Sequence, residues 1–172
     1  MAKARANSGP AGAAGHAAIA ARLRDRIVDG QFAPGARITE REVSALFGCS
    51  ASAVREVFHL LEKEGAITLS ARRGARVVDA QAAPPGDVQT TWDILRVLLA
   101  REVERKTNWP PADALPDDAS RATRLKALEA RLHDLGEAIG NRRLTAILAR
   151  VAMHLAIVDP ARFTQVEAGM SR

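Results

Sequence analysis

The sequence predicts a mostly α-helical protein in two parts: three helices with a short β-hairpin, followed by a small all-helical domain. Aromatic residues make up only 3% of the 172-residue chain, so alanine and aliphatic side chains must fill the core. Apolar residues also recur at helical spacing over most of the chain. The segment 80–86, Ala-Gln-Ala-Ala-Pro-Pro-Gly, has no periodic apolar face and is typical of a linker. We therefore expect a flexible arm over 1–16, the first domain over 17–79 and the helical domain over 87–172.

Capping residues mark the second and third helices of the first domain. Thr39 and Glu42 have the Thr-x-x-Glu spacing of a capping box, in which two backbone amides at a helix start receive side-chain acceptors. Gly48 is placed to end this second helix within about two turns. Ser50 or Ser52 can cap the third helix. The two helices are therefore expected to be joined by a tight turn.

The third helix has two different faces. Its apolar stripe has the spacing i, i+3, i+4, i+7 and consists of Val54, Val57, Phe58 and Leu61. Ser52, Arg55 and His59 lie on another face. Such a helix can pack on a core by one face and enter a DNA major groove with the other, where a guanidinium can donate to guanine O6 and N7. We expect Arg55 to read a base and the helix start near Ser50 and Ser52 to bind a phosphate.

A basic β-hairpin is expected directly after the third helix. Short alternating segments at 67–69 and 76–78 flank a turn. The turn and the returning strand carry three arginines, Arg72, Arg73 and Arg76. These charges favour contact with an adjacent groove or phosphate. Helices and hairpin together give the pattern of a winged helix-turn-helix, in which Arg41 would lie beside the DNA backbone or the groove edge.

The distribution of charge supports a polyanion partner. The net charge is +5; residues 1–80 carry 12 Lys/Arg against 8 Asp/Glu, whereas residues 81–172 carry 13 against 12. A single cysteine, Cys49, excludes an internal disulfide and favours a reducing compartment. No apolar run approaches the ~20 residues that span a bilayer. We expect a cytoplasmic protein with no membrane partner.

The first domain contains five characteristic runs in a fixed order. They are Leu23–Gly30, Pro34–Glu40, Ser50–Val57, Leu60–Gly65 and Arg73–Val77. In these runs and their spacing, the sequence from about Ile19 to Val78 resembles the GntR family of bacterial transcription regulators. The resemblance implies a bacterial protein, associated with the nucleoid, that binds a roughly palindromic DNA operator as a dimer. It also implies DNA contacts by the residues that match Arg41, Ser50, Ser52, Arg55, Arg73 and Gly74.

Two positions depart from the family pattern. Where the family has Ser-Arg-Thr-Pro-Val-Arg, this chain has Ala51 in place of the first arginine and Ala53 in place of the proline. The missing arginine removes one groove contact. The resemblance then implies that specificity depends more on Arg55 and on the hairpin.

The helical domain is expected to contain three helices, each with an apolar face. In the first of them the shared face consists of Val88, Trp92, Leu95, Leu98 or Leu99, and Val103. The last dozen residues have a mixed pattern that predicts a frayed end. Three helices bury limited area alone. We therefore expect a second copy of the chain to cover their apolar faces, forming a homodimer.

The helical domain is also similar to a shortened form of the FCD-type ligand domain of the FadR subfamily. Such domains often bind a divalent metal through an acidic residue and three histidines. The acidic residue and one of the histidines lie four residues apart in the family. This pair maps either onto Glu129 and His133 or onto Arg150 and His154, where arginine replaces the acid. In both alignments the chain ends before the helices that carry the other histidines. We therefore predict no metal site and no cofactor, and the sequence identifies no effector.

These features predict a sequence-specific DNA-binding transcriptional regulator, expected to act as a repressor. The chain shows no nucleophile–base pair and no phosphate-binding loop, so we do not expect an enzyme. Two alternatives stay open from the residues alone. One is a winged-helix module that binds a protein instead of DNA. The other is a sensor of metal or carboxylates that uses His133 or His154.

Overall fold

The computed structural model describes residues 13–70, 74–81, 85–106, 116 and 118–170. In chain order these residues form α1 (Ala13–Val28), β1 (Arg37–Ile38), α2 (Glu40–Phe47), α3 (Ala51–Glu64), β2 (Ile67–Ser70), β3 (Gly74–Val77), α4 (Pro85–Lys106), α5 (Arg121–Ile139), α6 (Arg142–Val158) and α7 (Pro160–Met170). The expected fold class, mostly α with a small sheet after the first helices, is confirmed.

The elements from α1 to β3 form the winged helix-turn-helix. The helix α3 packs against α1, α2 and β2. Fully buried aliphatic side chains from helices and strands share one core: Leu23, Ile27, Ile38, Val43, Val57, Leu61 and Ile67. Burial of each such side chain stabilises the domain by about 1.5–3 kcal/mol relative to exposure. The core thereby fixes which face of α3 is left outside.

The sheet has three antiparallel strands in the order β1-β3-β2, where the sequence predicts only the hairpin of β2 and β3. In the added strand, Arg37 pairs with Arg76 and Ile38 pairs with Ala75. A strand of two residues is too short to show an alternating pattern, which is why the sequence misses it. The consequence is that Arg37 joins the exposed surface of the sheet.

Both predicted helix starts in the helix-turn-helix are confirmed. The Glu42 N–H donates to Thr39 Oγ1 at 3.2 Å and the Thr39 N–H donates to Glu42 Oε2 at 2.8 Å, which is the reciprocal capping box. Hydrogen bonds from the Thr39 side chain and backbone lower the pKa of the Glu42 carboxyl. At the start of α3, Ser50 Oγ accepts from the N–H of Ala53 at 3.3 Å. These two caps fix the residues at which α2 and α3 begin.

The helical domain is built around α6, which packs against α4, α5 and α7. The helices α5 and α6 approach closely at Gly136, because a Cβ there would lie 2.3 Å from Thr145 Oγ1. On α4, Trp92 and Leu99 are buried and Leu98 is exposed, which decides between the two leucines that the sequence left open. Within the described residues, no helix combines the length and apolar character needed to cross a membrane.

Three helix boundaries differ from the sequence prediction. The helix α1 begins at Ala13, inside the segment expected as an arm, and α4 begins at Pro85, inside the expected linker. The segment expected to fray forms α7. There, Asp159 Oδ1 accepts from the N–H of Arg162 at 3.1 Å and Phe163 is fully buried. This cap and the buried side chains of Phe163 and Val166 hold the helix against the bundle.

Polar contacts connect α1 of the first domain to α5 of the second. The Asp29 carboxylate, just after α1, accepts from the backbone N–H of Ala122 at 2.8 Å, so it caps the first turn of a helix in the other domain. Two ion pairs continue this contact, between Asp25 and Lys126 and between Arg24 and Glu129. The pKa of Glu64 at the end of α3 is raised by burial beside this cluster, against the attraction of Arg24.

A second connection joins the end of α3 to α6. Gly65 adopts a left-handed conformation with φ 86°, and a Cβ there would lie 2.9 Å from the Arg150 guanidinium. Its carbonyl oxygen is 2.8 Å from His154 Nε2. A carbonyl can only accept, so this ring nitrogen carries the proton. Burial lowers the pKa of His154 and so favours the neutral form of the imidazole.

Candidate DNA-binding interface

The helix α3 shows the two faces that its spacing predicts. Val54, Val57, Phe58 and Leu61 are buried in the core of the winged domain. Ser52, Arg55 and His59 are exposed. The helix is therefore fixed from one side and accessible from the other, which is the arrangement that a major groove can receive.

The start of α3 combines capping with exposed hydroxyl groups. Ser50 Oγ, which caps the helix, lies 3.1 Å from Ser52 Oγ. Both side chains are exposed, as is Ala51 between them. A helix start carries partial positive charge and unpaired amides. This end of α3 therefore has the chemistry to bind a phosphate while Ser50 remains the cap.

Arg55 does not extend freely into solvent but is paired across the two helices of the motif. Its Nε donates to Glu40 Oε1 at 2.9 Å, and its Nη2 donates to Glu40 Oε2 at 3.4 Å. The side chains remain 64% and 41% exposed, respectively. The hydrogen bond that Arg55 donates to Glu40 raises the pKa of Arg55 above its ordinary value. The neighbouring Arg41 is also exposed, on the first turn of α2.

The wing, which is the hairpin of β2 and β3, carries Arg76 directly across from Arg37 of β1, and both side chains are exposed. Arg76 on the central strand is exposed and donates to the Gly35 carbonyl oxygen. Gly74 begins β3 with φ 73°, and a Cβ there would lie 3.9 Å from the Arg37 Nε. The Arg37 guanidinium therefore lies beside the start of this strand. The predicted contacts Arg72 and Arg73 lie outside the described residues.

A groove of about 520 Å³ separates α3 from the wing. Its polar rim consists of Arg37, Thr39, Glu40, Arg55, His59 and Ser70, and Gly74 lies at its edge. The groove is lined on one side by α3, through Arg55 and His59, and on the other side by residues of the three strands. It brings Arg55 and Gly74 together, whereas Arg41, Ser50, Ser52 and Arg76 do not line it.

Sequence reasoning missed Arg37 and Glu40 as parts of this surface. For Arg37 the available signal was weak: it alternates with the buried Ile38 over only two residues. For Glu40 there was none, because its partner Arg55 lies 15 residues away on another helix. Helical spacing relates residues three or four apart and does not report contacts between helices.

The three candidate metal ligands are not brought together. The Glu129 carboxylate pairs with Arg24 of the first domain. His133, one turn later on α5, is exposed, and His154 on α6 donates to the Gly65 carbonyl. Among the described residues no group of three or more His, Cys, Asp or Glu side chains could hold a metal ion. Glu129 and His154 instead make contacts between the two domains.

Comparison with known proteins assigns the first domain to a family. Residues 16–77 match the model of the bacterial regulatory proteins of the gntR family. The chain is 32% identical over 119 residues to the uncharacterized HTH-type transcriptional regulator YdhC of Bacillus subtilis (strain 168), an alignment that covers 69% of this chain. The chain spans about half, 47%, of the length of that curated relative.

Two solved structures are similar over most of the chain. The alignment with a GntR transcriptional regulator from Rhodococcus sp. RHA1 covers 92% of this chain and 70% of that protein, with 24% identity and a TM-score of 0.47. The alignment with a transcriptional regulator of the GntR family from Pseudomonas syringae pv. tomato str. DC3000 covers 96% of this chain and 71% of that protein, with 22% identity and a TM-score of 0.37.

The family match and the fold describe the same segment of the chain. The matched residues begin inside α1 and run to the end of β3. Both the family and the curated relative are described as regulatory proteins, in agreement with the expectation that this chain is not an enzyme. Residues 16–77 are therefore a winged helix-turn-helix domain of the gntR family of bacterial regulatory proteins.

Proposed function

We propose that this chain is a cytoplasmic bacterial transcriptional regulator that binds a roughly palindromic DNA operator as a homodimer. One observation carries the proposal: α3 is buried by its apolar stripe and exposes Arg55 with two hydroxyl side chains beside an arginine-bearing wing. Because the surface has a base-reading group flanked by phosphate-binding groups, specific DNA is the partner that it fits best. Occlusion of a promoter by the bound dimer would make the protein a repressor.

The charges divide between two kinds of DNA contact. Arg55 can donate to a guanine in the major groove, and the start of α3 can bind the phosphate next to it. Arg37, Arg41 and Arg76 are exposed on the wing and on α2, where they can contact the backbone. Each phosphate neutralised lowers the slope of log K against log salt by about 0.9. Binding should therefore be steeply dependent on salt.

Selection of bound sequences from random double-stranded DNA by the full chain tests this function. We expect an enriched motif with twofold symmetry and half-sites centred about one helical turn, 34–36 Å, apart. The affinity for the motif should exceed that for scrambled DNA by about a thousandfold or more and fall steeply between two salt concentrations.

The alternatives predict different results in the same selection. A module that binds a protein instead of DNA would enrich no motif, and this outcome would overturn the proposal. An enriched but asymmetric motif would overturn the palindromic operator and leave DNA binding intact.

The sensor alternative is tested by a separate titration of the protein–operator complex with zinc, manganese and small carboxylates. A change in operator affinity would favour the sensor function of the helical domain.

The homodimer is proposed on the exposed face of α4. Ile94, Val97 and Leu98 are 58%, 46% and 47% exposed, although the opposite face of the same helix is buried against the bundle. They line a shallow groove with Asp93 at one end and Arg101 at the other. Two antiparallel copies of α4 related by a twofold axis near Val97 would place each Asp93 opposite an Arg101. The two ends of the stripe are therefore complementary in charge to those of a second copy.

Replacing Val97 by glutamate tests this interface. A buried carboxylate without a partner is costly, so we expect the variant to be a monomer at micromolar concentration, where the unmodified chain is a dimer. Light scattering measures the mass of each. Ala138→Glu adds the same charge at an exposed position of α5 and should remain dimeric. An unmodified chain that is monomeric, or a Val97→Glu dimer, would disprove the interface.

A further inference from the structure

We infer that Glu40 is a specificity-determining residue that orients Arg55 to read a base and keeps it from binding phosphate. The inference rests on the proposed DNA-binding function and adds to it a role for a carboxylate on the DNA-facing surface. It starts from the paired hydrogen bonds between these two side chains, which join the start of α2 to the exposed face of α3.

The capping of α2 does not account for this carboxylate. The backbone amides at the start of α2 are already capped by Thr39 and Glu42, and neither bond of that capping box involves Glu40. Both members of the Glu40–Arg55 pair are well exposed, and exposed ion pairs contribute little to folding. An acidic group on a surface that faces phosphates also opposes DNA binding, unless it acts on a neighbouring cation.

The geometry of the guanidinium indicates what Glu40 does. A guanidinium has five N–H donors. Glu40 accepts from Nε and from one hydrogen of Nη2, which is the side edge of the group. The edge formed by Nη1 and the other Nη2 hydrogen is left for another partner. That remaining pair of parallel donors can match the O6 and N7 acceptors of guanine.

The charge of Glu40 acts in the same direction. A guanidinium already paired with a carboxylate has less attraction for a phosphate, since part of its charge is compensated. A guanine edge, which is neutral, loses less by that compensation. Glu40 therefore lowers the affinity of Arg55 for any DNA backbone while preserving its orientation toward a base. The expected result is a larger ratio of specific to non-specific affinity.

The test compares Glu40→Ala with the unmodified full chain on the selected operator, on operators altered one base pair at a time, and on scrambled DNA. We expect discrimination at the base pair read by Arg55 to fall about tenfold in the variant. Affinity for scrambled DNA should rise, and its salt slope should steepen by up to about 0.9, because Arg55 becomes free to bind a phosphate.

Three further variants separate this role from a general effect of charge. Glu56→Gln removes one negative charge at another exposed position of α3 and should leave discrimination unchanged. Glu40→Gln keeps an acceptor for Nε and should retain part of the discrimination. In the Arg55→Ala background, Glu40→Ala should change discrimination at no base pair, because coupled residues are not additive.

The outcomes are distinct. Equal changes in Glu40→Ala and Glu56→Gln, or unchanged discrimination in a folded Glu40→Ala protein, would overturn the role of Glu40 while DNA binding by the unmodified chain stands. An unmodified chain that prefers no sequence would overturn the proposed function and this inference together. Circular dichroism of each variant confirms that the helices are retained.

Discussion

Replacing Trp92 by alanine is expected to lower the free energy of unfolding by about 3–5 kcal/mol. Trp92 is only 1% exposed and lies on the face of α4 that packs toward α6. Removing its ring leaves a cavity in a close-packed core, and the surrounding side chains relax into it only in part. Chemical denaturation followed by circular dichroism measures the loss.

Two controls define this result. Trp92→Phe keeps most of the apolar volume, so it should lower the free energy of unfolding by less than Trp92→Ala does. Measurement at two protein concentrations separates a loss of folding energy from a loss of dimer, since only dimer dissociation makes the apparent stability depend on concentration. If Trp92→Ala lowers the free energy of unfolding by less than about 1 kcal/mol, Trp92 is not packed in the core of the helical domain as described.

Replacing Arg55 by alanine is expected to weaken operator binding by about 1–3 kcal/mol, with little change in affinity for scrambled DNA. The guanidinium is accessible on the face of α3 opposite the buried stripe, and Ala51 leaves no second arginine in the first turn of that helix. Specificity should therefore relax at one base pair of each half-site. Fluorescence anisotropy with labelled operator and altered operators gives both affinities.

The matched controls for Arg55 test charge and geometry separately. Arg143→Ala removes one positive charge at an exposed position of α6, at the end remote from the domain junction, and should have little effect. Arg55→Lys keeps the charge but loses the paired donors, so discrimination at that base pair should stay as low as in Arg55→Ala. Operator affinity that is unchanged in Arg55→Ala would show that another side chain reads the base.

Local rules predicted the helix-turn-helix well. The capping box of Thr39 and Glu42, the cap at Ser50 and the stripe from Val54 to Leu61 all depend on contacts within a few residues. Such contacts leave a signature in spacing alone. The helix α7 carried a comparable signal, Asp159 before Pro160, which the irregular apolar pattern that follows it obscured.

Contacts between distant segments left no such signature. The strand β1 exists only because β3, almost 40 residues later, offers it a partner. Glu40 and Arg55 meet because the turn between α2 and α3 sets the angle between two helices. His154 was a candidate ligand by motif, yet its partner is a backbone carbonyl 89 residues away. Only the packed tertiary structure determines these pairs.

The junction at Gly65 and Asp29 has a consequence for the spacing of DNA sites. The helical domain holds both the end of α3 and the end of α1, so each recognition helix is fixed relative to α4. A dimer built on α4 would then have little torsional freedom between its two halves. Inserting one base pair turns one half-site by about 34–36° about the duplex axis. Such an operator would be out of phase with the protein, and binding would require twisting the DNA or breaking the contacts of the junction.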